Sequence, residues 1–97
     1  MLYDGAIRFL RLALKELEAG NFEAKGKYIN KAQDIITELN TVLDMEAGGE
    51  IAVNLRSLYL FMNRHLSEAN IQRDAEKIQA VISLLEDLNQ GWKAIAK

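Results

Sequence analysis

Residues 2–21, LYDGAIRFLRLALKELEAGN, decide the fold of this 97-residue chain. Their apolar side chains recur at intervals of three and four residues, which is the spacing of one face of an α-helix. These side chains are Tyr3, Ala6, Ile7, Leu10, Ala13, Leu14 and Leu17. Gly20 is a typical helix stop, and Asn21 can accept backbone N–H bonds at the start of a following helix. The stretch therefore predicts a helix that leads into a tight helical hairpin.

Three further segments carry the same helical periodicity. The second runs from Phe22 to Leu43 and should end near Asp44, the third runs from Ile51 to Ala69, and the fourth from Ile78 to Ile95. Amphipathic helices of similar length joined by short loops pack side by side in alternating directions. We therefore predict one all-α domain over residues 1–97, an antiparallel up-down four-helix bundle.

Breaks between the helices are predicted near Gly20, at Gly48–Gly49 and at Ile71–Arg73. Asn70 is expected to adopt the left-handed conformation that closes the third helix, and Asp74 is expected to cap the fourth. The core should contain the central leucines and isoleucine of the four stripes. These are Leu10, Ile36, Leu55, Leu58, Leu85 and Leu88.

Composition indicates a folded soluble domain, because 49% of the residues are hydrophobic and 27% are charged. The chain has no cysteine and no proline. Its net charge is -2, and no basic stripe is present, so nucleic acid is not an expected partner. No apolar run approaches the roughly 18 residues of a membrane span, and no membrane insertion is expected. Asp4 stands where a signal peptide needs basic residues, so we expect a cytoplasmic location.

Neither a catalytic site nor a metal-binding site is expected. A di-iron bundle needs a glutamate three residues before a histidine. The single histidine is His65, and the residue three positions before it is Met62. A phosphotransfer role for His65 would call for a following Lys-Gly pair, which the sequence RHLSEAN lacks, so a structural or rim role is favoured. We predict neither an enzyme nor a bound cofactor or metal.

The first and third helices carry more apolar surface than one core stripe needs. Leu2, Phe9 and Leu12 widen the apolar arc of the first helix to roughly 220°, where a surface helix needs little more than 100°. Val53 and Leu60 lie seven residues apart on an otherwise polar flank of the third helix, and Phe61 lies on its other side. Neighbouring helices could cover these side chains, or they could bind an amphipathic partner helix.

Several motifs resemble the FliS family of flagellin export chaperones. They are LYDGAIRFL at 2–10, KAQDIITEL at 31–39, LDMEAGGEIAVNL at 43–55, LY at 58–59, LSEAN at 66–70, Asp74 and Trp92. The resemblance implies a cytoplasmic four-helix bundle that binds the C-terminal segment of flagellin. Such a chaperone prevents premature polymerisation of flagellin and delivers it to the flagellar export gate. A generic helical interaction or dimerisation module is the alternative.

Members of that family usually carry residues before the LYDGAI motif that cap the groove, whereas this sequence begins at Met1. We therefore expect an uncovered groove on the first helix and weak self-association through it. Val53 and Leu60 of the third helix either extend this groove or make a lateral contact. The expected partner-binding residues are Leu2, Phe9, Leu12, Val53, Asn54, Leu60 and Phe61. The resemblance also singles out Asp4, Gln33, Asp34 and Asn54, which either crosslink helices or bond the partner's backbone.

Overall fold

A computed structural model describes residues 2–95, with side chains for residues 2–91. The helices are α1 (Leu2–Glu18), α2 (Phe22–Thr41), α3 (Met45–Gln72) and α4 (Ala75–Ile95). No strand occurs in the described part of the chain. The predicted all-α fold with four helices is confirmed.

The four helices form a square in which α1 packs on α2 and α4, and α3 packs on the same two helices. Helices α1 and α3 are therefore diagonal neighbours. Contacts between α1 and α4 run in opposite chain directions, because Asp4 bonds Asn89 whereas Arg11 pairs with Glu86. This is the predicted antiparallel up-down bundle. None of the helices in the described residues is long and apolar enough to cross a membrane.

The core is filled by apolar side chains from all four helices. Its largest fully buried members are Leu10, Ile29, Ile36, Met62, Leu66, Ile78, Val81, Ile82 and Leu85. Leu55 is also buried, as predicted. Leu58 and Leu88 are only partly buried and pack against the edge of the core, because they lie on the flanks where α3 and α4 face each other.

Gly20 forms the connection between α1 and α2 with a left-handed φ of 81°. The backbone N–H of Asn21 donates to the carbonyl of Glu16 at 2.9 Å, which closes the turn. The expected side-chain cap by Asn21 is wrong, since its oxygen accepts no N–H of α2. Its Nδ2 instead donates to Glu16 Oε2 at 2.9 Å.

The connection between α2 and α3 differs from the prediction. Helix α2 already ends at Thr41, and Asp44 caps α3 by accepting the N–H of Ala47 at 2.9 Å. The predicted Gly48–Gly49 break is a kink within α3 instead of a loop, with Gly49 at φ 53° and ψ -129°. Ile51, which the periodicity placed in a buried stripe, follows this kink and is 68% exposed.

The predicted break between α3 and α4 is confirmed, but its closing residue is not the one expected. Arg73 adopts the left-handed conformation at φ 55°, and Asn70 remains helical within α3. The Asn70 side chain is engaged by Lys25 Nζ, which donates to its Oδ1 at 2.6 Å. Asp74 caps α4 as predicted, because its Oδ1 accepts the N–H of Glu76 at 3.0 Å and that of Lys77 at 3.3 Å.

Two leucine truncations test the boundary of the core. Leu10→Ala should lower the free energy of unfolding by about 2–5 kcal/mol, because Leu10 has no exposed surface. Leu88→Ala removes the same atoms from a partly buried position and should cost about 1–2 kcal/mol. Urea denaturation followed by circular dichroism measures both losses. Equal losses in the two variants would contradict the core described here.

Two glycine substitutions should change stability in opposite directions. Gly49→Ala places a Cβ on a backbone with φ 53°, which should cost about 1–3 kcal/mol. Gly91 lies inside α4, and a Cβ there would meet no atom within 4 Å. Gly91→Ala should therefore stabilise the protein by about 1 kcal/mol. Thermal unfolding checks the signs, and stabilisation by Gly49→Ala would show that the kink is not required.

Candidate protein-binding surface

The predicted site residues of α1 lie on its outer side and on its edge with α2. Leu2 is 44% exposed. Phe9 is partly buried, with its ring centroid 6.2 Å from that of Tyr28 and 5.5 Å from Lys31 Nζ. Leu12 is partly buried in a shallow depression on the outer side of α1. Packing against α2 thus accounts for Phe9 in part, whereas Leu2 keeps much of its surface open.

The predicted site residues of α3 are more exposed. Val53 is 51% exposed, Leu60 is 53% exposed, and Phe61 is 38% exposed. Phe61 turns away from the other two, and its ring stacks on His65 with 4.8 Å between centroids. Asn54 is exposed and makes no side-chain hydrogen bond within the part of the chain that the structure describes. Helix α3 therefore offers the larger apolar surface to a partner.

Val53 and Leu60 project from the side of α3 opposite its buried residues. They are seven residues apart, and at about 100° per residue they point away from Leu55 and Met62. Arg56 and Arg64 lie three and four residues after them on the same side of the helix, and both are exposed. We call the surface formed by Val53, Arg56, Leu60 and Arg64 the α3 face.

The structure does not bring the seven predicted residues into one groove. Because α1 and α3 are diagonal, the outer side of α1 and the α3 face point away from opposite corners of the bundle. Ile71, which is not among the predicted site residues, is 84% exposed and projects on the same side of α3 as Leu60. Ile71 lies in the predicted break at Ile71–Arg73 and was therefore not assigned to a helix. Its spacing of eleven residues from Leu60, about three helical turns, indicates that the two residues share one side of α3.

The polar motif residues divide into two groups. Asp4 Oδ1 accepts a hydrogen bond from Asn89 Nδ2 of α4 at 2.8 Å. Gln33 Nε2 donates to the carbonyl of Asn63 and to Ser67 Oγ of α3, both at 2.9 Å. Helix crosslinking is thus confirmed for Asp4 and Gln33. Asp34 and Asn54 are exposed and leave the second alternative, a bond to a partner, open.

Two buried polar contacts tie the helices together. The hydroxyls of Tyr3 and Tyr59 are hydrogen-bonded across the diagonal of the bundle. Burial, together with this bond, raises the pKa of Tyr59 well above its usual value. Lys25 Nζ also donates to the carbonyl of Asn70 at 2.9 Å. Burial, and secondarily the nearby Arg73, lowers the pKa of Lys25.

The described residues contain no group of three or more histidine, aspartate or glutamate side chains that could hold a metal ion. What they do contain is a crosslinked helical bundle with apolar side chains exposed on its outer helix surfaces. These features define the class of helical protein-binding domains.

Comparison with known proteins narrows that class. A model of the family described as flagellar protein FliS matches residues 1–97, and the chain belongs to this family. It is 45% identical over 97 residues to the flagellar secretion chaperone FliS of Salmonella typhimurium, covering 99% of this chain and 72% of the relative. The flagellar secretion chaperone FliS of Vibrio cholerae is 38% identical over 95 residues, which cover 98% of this chain and 70% of the relative. The flagellar secretion chaperone FliS of Bacillus subtilis is 36% identical over 93 residues, which cover 96% of this chain and 68% of the relative.

The two groups of polar motif residues should respond differently to truncation. Asp4→Ala leaves Asn89, which is only 7% exposed, without its acceptor, and should cost about 1–3 kcal/mol of stability. Asn54→Ala removes no hydrogen bond within the described chain and should change stability by less than about 0.5 kcal/mol. Denaturant unfolding measures both effects. A large loss for Asn54→Ala would place Asn54 in the fold and remove it from the candidate surface.

Proposed function

We propose that this chain is a flagellar secretion chaperone that binds the C-terminal helical segment of flagellin. Membership of the FliS family and the names of the relatives support the chaperone role, which is non-enzymatic. The structural observation that carries the proposal is the exposure of Val53 and Leu60 on a helix that also supplies Leu55, Met62 and Leu66 to the core. Exposed apolar side chains on a helix surface are suited to an amphipathic partner helix.

The proposed role follows from the chemistry of a subunit that awaits polymerisation. Flagellin's terminal segments assemble by burying amphipathic helices against neighbouring subunits, so an unassembled monomer exposes a disordered apolar tail. A chaperone that covers this tail prevents premature polymerisation and can release it to the flagellar export gate. We place this work in the cytoplasm, before export. Because the tail orders as it binds, even moderate affinity needs a large interface.

We assign the partner contacts to two separate surfaces. One comprises Leu2, Phe9 and Leu12 on α1. The other comprises two neighbouring stripes on the outer side of α3, Val53 with Leu60 and Asn54 with Phe61. The bundle measures 44 × 25 × 18 Å, so a segment that touches both surfaces must pass over α2 or α4 across its short dimensions. At about 3.4 Å per extended residue, roughly 5–8 residues cover this width in a straight line, so a path over the surface takes more. The partner is therefore expected to wrap the bundle with two docked parts and an extended link.

Calorimetric titration with a flagellin C-terminal peptide tests this assignment. The parent should bind, and Leu60→Asp should weaken binding by about tenfold or more, because it places a charge in an apolar contact. Phe9→Asp should also weaken binding, but its contact with Tyr28 requires a parallel stability measurement. Ser83→Asp, at an exposed position of α4 outside both surfaces, is the control and should bind like the parent.

Two outcomes would count against the proposal. Failure of the parent to bind any flagellin peptide would remove the flagellin partner. Parent-like binding by folded Leu60→Asp and Phe9→Asp would move the contact elsewhere. Sedimentation of the free protein distinguishes the alternative dimerisation module, since a dimer that Leu60→Asp dissociates would show that the α3 face binds a second copy.

A further inference from the structure

We infer that the α3 face selects an acidic amphipathic helix, with Arg56 and Arg64 holding carboxylates on either side of an apolar contact to Leu60, which Val53 extends beyond Arg56. This inference rests on the proposed function, in which the occupant is the C-terminal segment of flagellin. It adds the charge pattern that the docked part must carry.

The geometry of the α3 face places charge and apolar surface in alternation along the helix axis. At 1.5 Å per residue, Val53 and Leu60 are about 10 Å apart, and Arg56 and Arg64 are about 12 Å apart. A partner helix lying alongside α3 has the same rise. Two of its carboxylates about eight residues apart would meet both guanidinium groups while the apolar residues between them contact Leu60.

Arg56 and Arg64, like Arg8 and Lys15 of α1, have no carboxylate partner within the described residues, whereas Arg11, Lys27 and Lys77 each have one. Of these four unpaired cations, only Arg56 and Arg64 lie on the α3 face. Arg11 pairs with Glu86 at 2.6 Å, and Lys77 pairs with Glu68 at 3.5 Å. Each of these pairs links neighbouring helices. Arg56 and Arg64 link nothing in the described bundle, so their guanidinium groups are available for bidentate bonds to carboxylates of a partner.

The same charges disfavour a second copy of the chain as the occupant. In a two-fold pair of α3 faces that buries Leu60 against Leu60 of the second copy, Arg56 would face Arg64 of that copy. Like charges brought together in an interface oppose association. An acidic partner avoids this repulsion and gains from the same two groups. Charge complementarity therefore favours a partner of different sequence.

The test compares a double charge reversal with a matched control. Arg56→Glu/Arg64→Glu keeps residue types of good helix propensity at exposed positions and should leave the fold intact. Lys27→Glu/Gln79→Glu/Ser83→Asp makes the same change in net charge at exposed positions of α2 and α4 outside the proposed contacts. Binding of the flagellin C-terminal peptide to parent and variants is measured by calorimetry at low and at high salt.

The reversal should weaken peptide binding by about tenfold or more at low salt, with a smaller difference at high salt because salt screens the charges. The control should bind within about twofold of the parent. Replacing the peptide's acidic residues by lysine should weaken its binding to the parent and restore its binding to Arg56→Glu/Arg64→Glu.

Each other outcome has a defined meaning. If the parent binds the peptide and the reversal binds equally well, the charge clamp is overturned while the proposed function stands. If reversal and control weaken binding equally, the effect reflects net charge and the clamp is also overturned. If the parent binds no flagellin peptide, the proposed function fails. Dissociation of a parent dimer by the reversal would show that the α3 face binds its own copy and would overturn the inference.

Discussion

Each helix of a four-helix square can bury only the sector of its surface that faces the core and its two neighbours. Leu10, Ile36, Met62 and Leu85 occupy those sectors and have no exposed surface. Apolar residues outside the sectors have no intramolecular partner available, however favourable their burial would be. The α3 face is therefore a consequence of the packing geometry, since the bundle leaves about half of the Val53 and Leu60 side chains uncovered.

The polar contacts show which unusual residues serve the fold and which remain for another role. Asp4 and Gln33 bond side chains or carbonyls of neighbouring helices, so their presence in a helix is explained by crosslinking. Asn54 has no such bond among the described residues and lies beside the α3 face. A polar residue such as Asn54, which makes no bond that stabilises the fold, is therefore a candidate for partner binding.

Much of the fold was predictable because its determinants are local. Helical periodicity indicates the four helices, and Gly20 and Asp74 mark their ends through their own backbone chemistry. The closing residue of α3 was not predictable, because Asn70 is held by Lys25, which is 45 residues away in the sequence. The exposed residues of α3 were also identified from periodicity. The separation of these residues from the α1 surface could not be predicted from periodicity, because it depends on which helices become diagonal neighbours.

Chemical-shift mapping of the isotope-labelled chain against an unlabelled flagellin C-terminal segment tests whether the outer side of α3 contacts the partner. The largest backbone amide shifts should follow the outer side of α3 from Val53 to Arg64, with smaller changes at the fully buried residues Leu10 and Leu85 of the neighbouring part of the core. Binding with shifts confined to other helices, while the amides of α3 stay unchanged, would contradict this prediction.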